Sequence, residues 1–129
     1  MIQAMPTSAV RRRHRSGCPI SIALELLGDA WSLLIVRDLM FKDRRTYNDF
    51  LTGGEGIASN VLADRLRKLE EANIIDKRRD PEDARRFLYR LSPKGVDLAP
   101  VLVELIIWSA RHEQTDAPPE VVRSMRSDR

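Results

Sequence analysis

Apolar residues recur at helical spacing along most of the chain. Ile20, Ala23, Leu24 and Leu27 line one face of a first helix. Pro19 opens it, where a missing N–H costs nothing, and Gly28 stops it. Asp29 is placed to cap a second helix with Trp31, Leu34, Ile35 and Leu39 inward, ending near Met40 and Phe41. Thr46 and Asp49 have the spacing of a capping box and predict a short third helix through Leu51. After the loop 52–56, a longer helix is predicted over 59–72, with Leu62, Leu66 and Leu69 as its buried stripe. Phe87, Tyr89 and Leu91 alternate and so share one face of a strand over 87–91. Its partner is predicted over 76–79, and the polar stretch 80–86 reads as a long hairpin tip. Ser92 and Pro93 then open a helix carrying Leu98, Val101, Leu102, Leu105, Ile106 and Trp108, with a kink expected at Pro100. A last short helix after Thr115 would hold Val121, Val122 and Met125. Residues 1–17 lack periodicity and read as a flexible basic arm, 18–113 as the folded domain, and 114–129 as a tail.

The order is helix, helix, short helix, long helix, hairpin, helix: a mainly α fold with one small β-hairpin. A short helix, a loop and a longer helix, followed at once by a charged hairpin, is the layout of a winged helix-turn-helix. Such a helix enters the major groove of duplex DNA, and the hairpin (the wing, 75–91) reaches to the backbone beside it. On a helical wheel centred on Leu62, Asn60, Asp64, Arg67 and Glu71 fall on the opposite face, flanked by Ala63 and Lys68. The expected base-edge residues are therefore Ser59, Asn60, Ala63, Asp64 and Arg67, with Lys68 beside them. Asn suits adenine, Arg suits guanine, and Ala63 fits against a thymine methyl. Asp64 would repel phosphate unless it pairs with Arg67 or accepts from a cytosine amine. Arg65 falls nearer the buried side and reads as structural.

Lys77, Arg78, Arg79, Arg85, Arg86 and Arg90 crowd cations around one turn, against Asp76, Asp80, Glu82 and Asp83. Two readings stay open: arginines that straddle phosphates, or a ladder of ion pairs within the hairpin. Lys42, Arg44, Arg45 and the helix start at Thr46 add further expected phosphate contacts, because helix N-termini bind anions.

The blocks Cys18-Pro19, Gly28-Asp29-Ala30-Trp31-Ser32-Leu33-Leu34-Ile35, Arg37-Asp38-Leu39, Gly56-Ile57-Ala58-Ser59-Asn60-Val61-Leu62 and Arg65-Leu66-x-x-Leu69-Glu70 resemble the HxlR family. So do Tyr89-x-Leu91-Ser92-Pro93-Lys94-Gly95 and Pro100-Val101-Leu102. These are bacterial winged-helix transcriptional regulators related to the MarR group, and the likeness covers about residues 18–112. It implies a homodimer joined by the N-terminal and C-terminal helices and bound to a palindromic operator. Ala30 departs from the family, which commonly has Lys or Arg before the Trp. The dimer face is expected at Ile20, Leu24 and Leu27 with Val101, Leu105 and Trp108. Leu102 and Ile106 are expected to be exposed beside them, and Val121, Val122 and Met125 are further candidates.

Composition narrows the rest. The 129 residues carry a formal charge of +3, unevenly spread: residues 1–17 hold Arg11, Arg12, Arg13 and Arg15 and no acid. Residues 42–94 sum to +3, while 18–41 and 95–129 each sum to −2. That asymmetry points to a polyanion for one part and protein for another. The basic cluster at the N-terminus is followed by no apolar run, so a cytoplasmic protein away from membranes is expected. Cys18 is the single cysteine, which excludes a disulfide framework within the chain. Its place before Pro19, near Arg13 and Arg15, also favours a thiolate, so a thiol-based redox regulator is an alternative. His14 and His112 lack metal-ligand or nucleophile spacing, and no glycine-rich phosphate loop is present, so neither an enzyme nor a cofactor or metal site is expected. Remaining alternatives are a winged-helix module that contacts only protein, and a regulator gated by a small apolar effector.

Overall fold

The computed structural model describes residues 14–128 of the chain. Its elements run α1 (Pro19–Leu27), α2 (Ser32–Phe41), α3 (Tyr47–Leu51), α4 (Ser59–Glu71), β1 (Ile75–Asp80), β2 (Asp83–Leu91), α5 (Pro93–Val96), α6 (Ala99–His112) and α7 (Pro119–Asp128). β1 and β2 form a two-stranded antiparallel sheet. The fold is a winged helix-turn-helix, mostly helical with one hairpin.

Helix α2 is the hub: it packs against α4, α6 and β2. Its deepest residues are Ile35 and Val36, with Ser32 and Asp38 also buried. Trp31, Leu34 and Leu39, expected inward from their spacing, are half-buried. Leu62, Leu66 and Leu69 supply the α4 side of the core, joined by Phe50, Ile74, Ile75, Tyr89 and Leu102. Burying such a leucine removes roughly 2–3 kcal/mol worth of apolar surface from water, so one face of α4 is firmly committed inward.

The caps follow the sequence closely. Thr46 accepts from the Asp49 backbone N–H at 3.0 Å, and the Asp49 carboxylate accepts from the Thr46 N–H at 3.0 Å. Asp29 acts from two residues before the cap position of α2, accepting from the N–H groups of Trp31 and Ser32 at 2.7 and 2.9 Å. Helix α4 ends in a device that the hydrophobic pattern did not reveal. Asn73 takes a left-handed φ of 61°, its N–H bonds to the Glu70 carbonyl, and the Ile74 N–H bonds to the Leu69 carbonyl.

Two expectations need correcting. The stretch 80–86 is not wholly a loop: β2 already begins at Asp83, and only Pro81 and Glu82 separate the strands. The ladder does slip there, with the register shifting between Arg79 and Asp80, so 84–86 stand outside the regular pairing. Both strand faces are polar at that end, and a period-2 hydrophobic signal cannot report a strand that buries neither face. Likewise, one kinked helix after Ser92 is in fact two, α5 and α6, parted at Asp97 and Leu98. Pro100 sits in the first turn of α6, where its missing N–H is harmless. Gly95 explains why α5 lies where it does: a Cβ there would stand 2.2 Å from the Ile74 carbonyl oxygen. Only glycine lets α5 press against the α4–β1 junction. Ser92 fastens the same junction by donating to the carbonyls of Asn73 and Ile74, and Lys94 donates to the Ala72 carbonyl at 2.8 Å.

Candidate nucleic-acid interface

Helix α4 shows the two-faced pattern that its sequence predicts. Ser59, Asn60, Ala63, Arg67 and Lys68 are exposed on the side away from the leucine stripe, and Asp64 is half-buried. The Tyr47 hydroxyl donates to the Ser59 carbonyl at 2.9 Å, which holds the start of α4 against α3. That contact joins the two helices of the motif through one side chain, and no periodicity in the sequence marks Tyr47 for it.

The charged residues of this face form a chain. Arg67 Nη2 donates to Asp64 at 2.6 Å and Nη1 to Glu71 at 3.1 Å. Lys68 Nζ lies 3.4 Å from Asp64. The hydrogen bond from Arg67, with Lys68 beside it, holds the Asp64 carboxyl below the usual carboxylate range. Asp64 and Arg67 are thus paired, one of the two arrangements left open for Asp64 by the sequence, and an otherwise repulsive carboxylate is compensated.

The wing mixes both readings of its charges. Arg85 pairs with Asp83, Arg86 with Asp80 at 2.6 Å, and Arg90 with Asp76 at 2.7 Å. Lys77 and Arg79 both lie over the Phe87 ring, each 4.5 Å from its centroid, and Arg79 also donates to the Ala84 carbonyl. Arg78 makes no ion pair with the described residues. Asp80 is buried, and the Glu82 N–H and Arg86 guanidinium together lower its pKa. The hairpin is therefore a stiffened rod whose guanidinium groups are still mostly exposed. Against the body, the Tyr89 N–H donates to the Arg45 carbonyl at 2.8 Å, tying the wing to the segment before α3.

Phosphate candidates around α3 divide sharply. Arg45 is exposed, near Asp43. Arg44 instead turns inward, 3.0 Å from the buried Asp38, and a Cβ on Gly53 would collide with its guanidinium. Arg37 also bonds Asp38 and reaches Glu55 in the α3–α4 loop at 3.0 Å. The Thr46 side chain is buried in its capping role, and the N–H groups of Arg45, Thr46 and Asp49 are already bonded.

Arg11, Arg12 and Arg13 lie outside the described residues. The described end of the arm is docked: His14 and the Arg15 N–H both meet Glu25, and the Arg15 guanidinium donates to Ser21. Cys18 is exposed at the cap position of α1.

Asp29 makes part of the stability depend on pH. Partial burial alone would raise its pKa, but hydrogen bonds from Ser32 and Trp31, with the Arg65 guanidinium beside it, outweigh that and bring it from 3.8 to about 2. The folded value lies below the unfolded one, so its contribution is present above about pH 4 and fades as pH falls toward about 2. Asp29→Ala is expected to cost about 2 kcal/mol at neutral pH by denaturant unfolding, and the gap from the unaltered chain should close on acidification. A gap that stays constant down to about pH 3 would contradict this role.

The comparisons with known proteins agree with this geometry. The family pattern described as HxlR-like helix-turn-helix matches residues 26–117. The chain belongs to the HxlR family. An HTH-type transcriptional regulator of Mycobacterium tuberculosis is 36% identical over 112 residues, 85% of this chain and 70% of that protein. One of Synechocystis is 36% identical over 88 residues, 68% of this chain but only 64% of its own length, under two thirds. Among solved structures, the reduced form of the transcriptional regulator YodB from Bacillus subtilis superposes with a TM-score of 0.62 at 29% identity, covering 75% of this chain and 95% of that one. This HxlR member is thus a transcriptional regulator with a helix-turn-helix DNA-binding fold, in a family of regulators rather than enzymes. Among its described residues, no single helix is long and apolar enough to cross a membrane.

Proposed function

We propose that the chain acts as a homodimeric, sequence-specific repressor that places α4 in the major groove and the β1–β2 wing along the backbone. The observation that carries this reading is the exposed Asn60–Ala63–Arg67 face of α4, opposite leucines that are nearly or fully buried. Asn60 and Arg67 would read adenine and guanine edges, while Arg45, Arg78, Arg79, Arg85 and Arg86 would meet phosphates. Arg44, half-buried against Asp38, and Thr46, buried in its capping role, would support that surface rather than touch DNA.

A second copy is favoured by the apolar surface left without cover. Ile20 is 70% exposed, Leu24 57% and Trp108 59%, and Val101, Leu105 and Val121 are exposed too. Leu102 and Ile106 do not share in this, since Leu102 is buried in the core and Ile106 is half-buried. Val122 is also buried, on α7, which packs against α6. Leu27 is partly buried against the core, at the edge of that face.

The test is gel-shift titration with the DNA upstream of the chain's own gene. Asn60→Ala and Arg67→Ala should each weaken binding to that DNA by about tenfold or more, with little change on unrelated duplex. Equal loss on both DNAs would remove base reading from this face.

A further inference from the structure

We infer that Arg65 is a positioning residue for base reading, tying the DNA-facing side of α4 to the start of α2. The inference rests on the proposed groove face and adds to it a residue that touches no base. Asp29 is the fixed point. One of its oxygens accepts from the Trp31 and Ser32 N–H groups, and the other accepts from the Ser32 hydroxyl at 2.5 Å, so the carboxylate is locked to the first turn of α2. Arg65 Nε lies 3.1 Å from the first of these oxygens. That buried nitrogen has no well-directed hydrogen bond, so the contact is an ion pair held by charge rather than by angle. The other end of the guanidinium donates to Asp64 Oδ2 at 2.5 Å, and Asp64 Oδ1 accepts from Arg67 at 2.6 Å.

The result is a line of alternating charges: Asp29, Arg65, Asp64, Arg67, Glu71. Arg65 shares Asp64 with Arg67, and this matters for reading DNA. Arg67 must surrender part of its hold on Asp64 to offer both nitrogens to a guanine edge. While Arg65 compensates Asp64, that release is cheap. Without Arg65, the carboxylate is left to Arg67 and Lys68 alone, its grip on Arg67 tightens, and uncompensated negative charge faces the groove. Removing Arg65 also cuts an ionic tie between α4 and the α1–α2 turn. These effects fall on base reading, while phosphate attraction by the wing and Arg45 is untouched.

The experiment compares two duplexes at one fixed salt concentration, by fluorescence anisotropy. One is enriched by the unaltered chain from a pool randomised over two helical turns, and the other is an unrelated duplex of equal length. Arg65→Met should lower the ratio of the two affinities about tenfold. Arg65→Lys, which keeps the charge, should recover most of the ratio. Asp29→Asn, which keeps an acceptor oxygen at the cap but loses the charge, should lower the ratio as well, and the double variant Asp29→Asn, Arg65→Met should be no worse than Arg65→Met. A folded Arg65→Met chain with an unchanged ratio overturns the inference. Should that variant fail to fold, an unchanged ratio in Asp29→Asn overturns it instead. If the unaltered chain enriches no sequence, the groove reading itself falls, an outcome separate from failure of the Arg65 role.

Discussion

The double variant Leu105→Glu, Trp108→Glu is expected to sediment as a monomer and to lose operator affinity by about two orders of magnitude. The reason lies in the surface it alters. Both side chains stand exposed on α6, while Leu102 and Ile107 of the same helix are buried, so the substitutions spare the protomer's interior. Two carboxylates brought against a second copy would have to be desolvated without partners, which no interface of ordinary size tolerates. A dimer docks two recognition helices roughly 34 Å apart on half-sites one turn distant, and the second helix binds at high effective concentration once the first is seated. A monomer forfeits that gain. Its melting temperature should remain close to that of the unaltered protomer, since the core is intact. A variant that still sediments as a dimer would move the interface elsewhere. A monomer with full operator affinity would remove the need for two-fold symmetry.

Salt should have the next largest effect. With about five phosphates met per protomer, a dimer releases counterions from roughly ten, and log K is expected to fall with log salt at a slope near −9. Between about 50 and 200 mM salt, affinity should drop by roughly 10⁵. Arg78→Ala is the informative substitution, because Arg78 is exposed and makes no direct ion pair with the described residues, touching Asp80 only through its charge. It should weaken binding to all sequences about equally and make the slope shallower by about 2 for the dimer. Arg86→Ala is a less clean choice, since it also exposes the buried Asp80 that it now neutralises at 2.6 Å. A salt-independent complex, or no complex, would favour a winged helix used for protein contacts alone.

Local chemistry explains which parts of this molecule could be read in advance. The caps at Thr46, Asp29 and Ser92 are contacts between residues two to four apart, so spacing alone encodes them. The leucine stripe of α4 is a 3.6-residue period, and it determines which side of that helix is left exposed. The end of the wing was less legible, because a strand with charge on both faces carries no period. The placement of α5 depends on Gly95 meeting the Ile74 carbonyl, a contact between elements on either side of the hairpin.

Sequence alone therefore determined the order of elements, the helix-turn-helix with its wing, and the outward residues Asn60 and Arg67. The pairing of specific charges was decided only by tertiary packing. Arg44 and Arg45 are neighbours in one polar run, yet one is drawn onto buried Asp38 and the other is left at the surface. Arg65 looked structural from its wheel position, and only the approach of α2 shows that its partner is Asp29, 36 residues away. A periodicity reports which face of a helix avoids water. It does not report which distant carboxylate will stand opposite a given cation, because that follows from how the helices cross.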